Sequence, residues 1–300
     1  LKSFQRRGMR VLGVDPADNI AAIANSNGIE TLPEYFTEEL ALNIRQQYGQ
    51  PDLITSHNVL AHVDDFSGVM NAIKSLMDKK SIFIFEVGYF MDVYKNLWFD
   101  TIYHEHLDYH TVFPLQKFFN QLDMELFKVD TVNIQGGSIR NYIQLSNGSN
   151  EIEDSVNKLI DKEKTIGLQD IQEIKKFQSR IDYSKSELLK IFKEIKDSGK
   201  SIAGYGAPTK STTLMNHFEI NRDIIDYIID DNKLKQNKYS PLLHIPITSK
   251  QKLYEGKQPE YLIILAWNFA ESIIEKVSQE AVFKGDYIIP LPNPRIIRGK

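Results

Sequence analysis

Short apolar runs recur along this chain, and most give way to a stretch of helical periodicity. In the first half the runs are Met9–Val14 (MRVLGV), Asp52–Thr55 (DLIT) and Ser81–Val87 (SIFIFEV), the last with an acid, Glu86, near its end. Helical character marks Asn19–Ser26, Phe66–Met77 (through Val69, Ile73 and Leu76) and Phe113–Leu122, while Glu125–Asp130 and Ser138–Leu145 read as a closing strand pair. Continuous apolar runs of this kind are strands buried on both faces. Strands alternating with helices predict an α/β fold with a mainly parallel sheet.

The pattern starts again at Lys200. Lys200–Tyr205 (KSIAGY) runs into Gly204-Tyr205-Gly206-Ala207-Pro208, and a helix follows from about Lys210. Ile224–Ile229 (IIDYII) ends at Asp230 and Asp231, and Tyr261–Ala266 and Tyr287–Pro290 are further strands. This predicts a second open parallel sheet with its own glycine turn. Between the two, Gly148–Gly199 is rich in Lys, Glu and Asp, with Ile174, Phe177, Ile181, Leu188, Ile191 and Ile195 along one stripe. That is a long amphipathic helix, expected to connect two domains without chemistry of its own. The expected boundaries are therefore 1–147, 148–199 and 200–300. A chain of 300 residues agrees with two domains at roughly 150 residues each.

Charge and cysteine usage exclude several classes. Lys+Arg 36 against Asp+Glu 40 gives a net charge of −4, which speaks against a protein built to hold nucleic acid. No apolar run approaches the roughly 18 residues of a membrane span, and LKSFQRRGMR has no apolar segment of a signal peptide. A cytoplasmic protein with neither a nucleic-acid nor a membrane partner is expected. Cysteine is absent, so disulfides and thiolate metal sites are excluded.

Three features can carry chemistry. Asp15, in GVDPA, stands at the end of a strand, where α/β nucleotide folds hold a ribose diol with a carboxylate; Asp-Pro also simply makes a turn there. Phe99–Tyr109 (FDTIYHEHLDY) packs Tyr103, His104, Glu105 and His106 together beyond the carboxyl end of the third strand, with His110 just after. Histidine is the usual general base near neutral pH, a nearby carboxylate can hold its tautomer, and a tyrosine hydroxyl can stabilise an oxyanion. A polar surface loop and a metal site are the competing readings, but adjacent residues diverge and the spacing fits no standard zinc motif. The third feature is Gly204-Tyr205-Gly206-Ala207-Pro208-Thr209-Lys210. Glycines between strand and helix let amides approach a phosphate, and Lys210 adds positive potential. The lysine spacing is not that of a Walker loop, Thr209 stands where a dinucleotide fingerprint wants glycine, and a tight turn needing positive φ is the plain alternative. His57, His62, Trp98 and Trp267 are equally well read as packing residues.

Taken together these stretches resemble the sugar C-methyltransferases that act on nucleotide-linked 4-keto-deoxysugars with S-adenosylmethionine. The matching segments are GVDPADNI from Gly13, NVLAHVDD from Asn58, FEVGYF from Phe85, FDTIYHEHLDY from Phe99, GGSIRNY from Gly136, GYGAPTK from Gly204, KQNKYSPLLHIPI from Lys235, PEYLIILAWNFA from Pro259 and YIIPLPNP from Tyr287. They run colinearly over essentially the whole chain. The resemblance implies a zinc-binding module, a class I (Rossmann-like) methyltransferase domain and a C-terminal Rossmann-like domain on the nucleotide-sugar side. Against that layout the chain is expected to lack the cysteine-rich module and the glycine-rich cofactor strand and turn upstream of Leu1, leaving the methyltransferase domain incomplete. The resemblance further implies that His106 is the base, with Tyr103 and Glu105 positioning the substrate and supporting enolate charge. It makes Asp15 the ribose-binding acid, places Asn58 and His62 in the loop flanking the cofactor, and puts Gly204, Gly206, Lys210 and Tyr239 on the nucleotide-sugar side. The family reads Gly-Asn where this chain has Ser211-Thr212.

Two further readings stand beside C-methylation of a nucleotide-linked ketosugar. One is methylation of another small acceptor in surface-glycan or secondary-metabolite biosynthesis. The other is a catalytically incompetent fragment that binds nucleotide sugar, favoured for this polypeptide by the expected missing segment; a dinucleotide oxidoreductase is more remote.

Overall fold

The apolar runs pair as parallel strands in the computed structural model, which describes residues 1–133, 136–255, 257–280 and 283–299. Two units result. The first comprises Leu1–Gly88, His110–Val132 and Ile139–Asp161; the second comprises Tyr89–Tyr109, Asn133–Ser138 and Lys162–Lys300.

In the first unit, α1 (Lys2–Gln5) precedes β1 (Gly13–Val14), α2 (Asp18–Ser26), β2 (Thr31–Leu32), α3 (Glu38–Tyr48), β3 (Leu53–His57), α4 (Phe66–Leu76) and β4 (Ile82–Gly88). α6 (Val112–Gln121), β5 (Met124–Val132), β6 (Ser138–Leu145) and the start of α7 (Asp154–Ile166) complete it. β1 and β2 pair in parallel, with Gly13 opposite Thr31. A four-stranded sheet has the order β3-β4-β6-β5, and its parallel β3 and β4 set His57 opposite Glu86. Two of these helices begin where a side chain takes up an orphan amide: Thr37 accepts from Leu40 N–H at the start of α3, and Asp65 from Gly68 N–H at the start of α4. Leu40, Ala41 and Ile44 of α3 and Ala72 and Leu76 of α4 form a core with Val14, Leu32 and Ile54. α3 has no counterpart among the sequence expectations, although its buried residues sit at helical spacing.

The second unit begins with α5 (Phe90–Asn96) and a 3-10 turn at Phe99–Thr101, and resumes with α8 (Ile171–Asp197). The sheet follows: β7 (Ile202–Tyr205), α9 (Thr209–His217), β8 (Ile228–Ile229), β9 (Lys238–Tyr239), β10 (Pro246–Thr248), β11 (Tyr261–Ile264), α10 (Ala270–Gln279), β12 (Asp286–Ile289) and β13 (Arg295–Ile297). The order is β13-β12-β11-β7-β8-β10-β9, parallel except at the two edge strands. Strand alternation divides its residues between two covered faces. Ile202, Ile228, Ile247, Ile263 and Ile288 point to one core, and Ala203, Tyr205, Ile229, Leu262, Ile264 and Tyr287 to the other. α10 closes the second core with Ala270 and Val277.

The stretch expected as one connecting helix is two helices, α7 and α8, separated around Gly167 at φ +84°. Phe177, Ile181, Leu188, Phe192 and Ile195 of α8 belong to the first of those cores, so this helix is a wall of the second unit. The run Ile224–Ile229 is strand only at its end. Its start is a turn in which the Asn221 carbonyl accepts from Ile224 and Ile225 N–H. Among the described residues no helix is long and apolar enough to cross a membrane, and no group of three or more His, Asp or Glu is placed to hold a metal ion.

Glu260 ties the starts of β7 and β11 together. Its carboxylate accepts from the Ser201 amide at 2.8 Å and hydroxyl at 2.7 Å, and Lys257 lies 3.1 Å away. Those contacts, the amide first, hold its pKa at about 2 instead of 4.5. A carboxyl lowered by folding stabilises the fold above its ordinary range, and that contribution fades as pH falls through the folded value. Stability is therefore expected to drop between pH 4.5 and 2 by about 1 kcal/mol from this group, since water screens its exposed side. Urea titrations across that range check it: Glu260→Gln should flatten the dependence, and an unchanged slope would refute the assignment.

Candidate active site

In the second unit the sheet reverses its winding beside β7, because β8 lies on one side of it and β11 on the other. The carboxyl ends of two strands that lead away in opposite directions leave a crevice, the usual site of open α/β sheets. Two turns meet this position. One is Gly206–Lys210, leading from β7 into α9; the other is the 3-10 turn Trp267–Phe269 after β11. Gly204 lies within β7 and is buried. Gly206 takes φ +88°, and a Cβ there would come within 2.7 Å of the Ala266 Cβ, so the turn requires glycine.

The loop amides are partly committed. Ala207 N–H donates to Asp230 Oδ2 at 2.7 Å and Asn232 N–H to Asp230 Oδ1 at 2.8 Å, while Lys235 Nζ donates to the Ala207 carbonyl at 2.7 Å. Asp230 is buried at the end of β8, where a dinucleotide fold would offer its acid to a ribose. Here that carboxylate binds its own backbone, which argues against the dinucleotide reading.

Lys210, in the first turn of α9, points inward. Its ammonium lies 4.4 Å from the Trp267 ring centroid and 3.9 Å from Asp100 Oδ2. The Trp267 indole N–H donates to the same Asp100 oxygen at 2.7 Å. Asp100 has no solvent exposure. Burial pushes its carboxyl pKa up against the pull of Lys210 and Trp267, and burial pushes the Lys210 ammonium down against the pull of Asp100.

Asp100 belongs to the 3-10 turn that opens the histidine-rich loop. The next carbonyl, of Thr101, accepts from His106 Nδ1 at 2.9 Å and from the Tyr109 hydroxyl at 2.8 Å. A carbonyl only accepts, so Nδ1 carries a proton, and in the neutral tautomer so fixed Nε2 is the accepting nitrogen. A turn closed by His106 N–H to the Tyr103 carbonyl sets the Tyr103 ring centroid 4.5 Å from that of the imidazole, the rings tilted by 37°. Burial raises the Tyr103 phenol, helped by nearby Glu105, and burial, then Tyr103, pushes Tyr109 up to about 12. Both phenols therefore stay protonated donors at neutral pH. Glu105 and His104 are exposed on the same turn.

The other expected site residues fall elsewhere. Tyr239 is on edge strand β9, separated from β7 by β8 and β10, and is 63% exposed. In the first unit Asp15 follows β1, and its Oδ1 accepts from Ala17 N–H at 2.9 Å. Asn58 follows β3 with φ +55°, its N–H donating to the Glu86 carbonyl at 2.9 Å. His62 ends the 3-10 turn Leu60–His62 and is exposed. Each therefore sits beyond the carboxyl end of a strand. Asp100, Thr101, Tyr109 and Trp267 are participants that sequence reasoning did not select. Asp100 carried a signal: a lone acid between Trp98-Phe99 and Thr101-Ile102 reads as a buried carboxylate.

Residues 133–292 match the family described as the C-methyltransferase C-terminal domain, and residues 1–129 match a methyltransferase domain family. The C-methyltransferase NovU of Streptomyces niveus is 33% identical over 297 residues, spanning 99% of this chain and 70% of that protein. A solved S-adenosylmethionine-dependent methyltransferase from Anabaena variabilis is 14% identical, with TM-score 0.39, over 48% of this chain and 72% of its own. Another from Clostridium acetobutylicum is 12% identical, with TM-score 0.35, over 46% and 76%. These structural likenesses span less than half of the chain, and relationship rests on the sequence matches.

Proposed function

The chain belongs to the C-methyltransferase family, and from that premise we propose that it methylates the ring carbon beside the ketone of a nucleotide-linked deoxysugar. The observation that carries this reading is the His106 ring, oriented by the Thr101 carbonyl and packed against the Tyr103 ring. A ketone acidifies its neighbouring C–H, so a held imidazole can take that proton on Nε2. The charge left on the ketone oxygen then needs a donor, and the protonated Tyr103 hydroxyl is the nearest in kind. Glu105, on the same turn, would position the acceptor.

S-adenosylmethionine, when bound, supplies an electrophilic methyl group for the carbanion. The residues beyond β1 and β3 suit it: Asp15 offers a carboxylate oriented by the Ala17 amide, a fitting acceptor for a ribose diol, and Asn58 and His62, after β3, supply further polar groups. Gly204, Gly206, Lys210 and Tyr239 form the nucleotide-sugar side of the proposal. Lys210 contributes there as a cation already paired with Asp100, and the commitment of the Ala207 amide leaves the α9 terminus to meet a phosphate.

The test is chemical. Incubation with methyl-13C-labelled S-adenosylmethionine and nucleotide-linked 4-keto-6-deoxysugars is expected to place the label on a ring carbon adjacent to the ketone, read by 13C NMR. Label on oxygen or nitrogen, or methylation confined to acceptors without a nucleotide, would overturn the proposal.

A further inference from the structure

We propose that Asp100 is a positioning residue for the reaction, anchoring the turn that orients His106 and the lysine of the glycine loop to the same end of the sheet. This rests on the assignment of His106 as base. A carboxylate with no solvent exposure is costly to bury without several partners. Among the described residues Asp100 has two, both at Oδ2 and both from the crevice at the end of the parallel sheet, the Trp267 indole N–H at 2.7 Å and the Lys210 ammonium at 3.9 Å, while its buried Oδ1 has no hydrogen-bond partner. Lys210 in turn lies over the Trp267 ring. The three side chains thus join the turn after β11, the first turn of α9 and the 3-10 turn Phe99–Thr101.

The link to the base runs through one residue. Asp100 fixes the 3-10 turn from its side chain, and the following carbonyl is the one that holds His106 Nδ1 and the Tyr109 hydroxyl. A shift of that peptide tilts the acceptor and turns the imidazole away from the line of proton transfer. Asp100 needs no contact with substrate to do this.

The experiment compares Asp100→Ala, Asp100→Asn and His106→Ala by two rates and one folding measurement. The first rate is deuterium wash-in beside the ketone in heavy water without S-adenosylmethionine, which reads the base alone. The second is full turnover, resolved into kcat and KM. Thermal melts report folding. Asp100→Ala is expected to lose about 100-fold in wash-in and kcat together, with little change in KM, the cost typical of a misplaced catalytic group. Asp100→Asn keeps an acceptor for Trp267 but no charge for Lys210, and should lose only about tenfold in both. That graded rescue is not expected of a purely structural role. If Asp100→Ala does not fold, the Asn variant alone decides. Asp100 variants with lower melting temperature but unchanged rates per folded molecule overturn the proposal. Wash-in lost in His106→Ala but untouched in the Asp100 variants overturns it while leaving the base assignment standing. Wash-in retained in His106→Ala removes the base assignment and this proposal with it.

Discussion

His106→Ala is expected to slow methyl transfer by about 10²- to 10⁴-fold, the range for loss of a positioned general base. The ring is held by Nδ1–H to the Thr101 carbonyl and by its contact with Tyr103, not by any bond the substrate must break. Nucleotide-sugar affinity should therefore stay near that of the parent, while kcat and wash-in fall together. Steady-state kinetics with an isothermal titration of the nucleotide sugar checks both halves. Turnover within a few-fold of the parent would show that another group takes the proton.

The largest expected effect on stability lies in the first unit. Glu86 is 3% exposed at the end of β4, and Arg140 of β6 meets its Oε2 through Nε at 3.1 Å and Nη2 at 2.8 Å. His57 Nδ1, opposite on β3, is 3.8 Å from the same oxygen. Arg140→Ala leaves this buried carboxylate without its main partner, a loss expected to cost about 3 kcal/mol. Replacing both charges, with Glu86→Gln alongside Arg140→Ala, should recover more than half of it, because no uncompensated charge then remains. Urea denaturation of the three variants tests this. A double variant as unstable as Arg140→Ala would mean that packing, not charge, sets the loss.

Much of the local structure is legible in the sequence because strand and helix patterns are local properties. Ser138–Leu145 is strand β6 at the expected limits, Phe66–Met77 is helix α4 with one residue fewer, and Lys200–Tyr205 contains β7 running into the glycine turn. The exceptions have physical causes. Ile224 and Ile225 are apolar enough for a strand, but Asn221 captures their amides in a turn. The stripe on α8 shows that the helix covers something apolar without showing what, since amphipathicity specifies a face and not its partner. Of the candidate site, the Tyr103–His106 cluster was visible as a concentration of groups able to carry chemistry. Its working geometry was not, because the acceptor that sets the His106 tautomer is a backbone carbonyl, and every residue has one.

The sequence by itself determined the class of fold, two α/β units built on parallel strands, and through colinear motifs the family. Both follow from residue order alone: periodicity fixes which faces are apolar, and motif spacing survives in the chain however it folds. Only the tertiary structure decided where those motifs go. Tyr89–Tyr109 follows β4 of the first unit in sequence yet belongs to the second. Asp100 meets Trp267 across 167 residues of chain. No local pattern encodes that meeting. β11 pairs with β7 and brings the Trp267 turn beside the first turn of α9, and the buried Asp100 Oδ2 takes its indole N–H and its ammonium from those two turns.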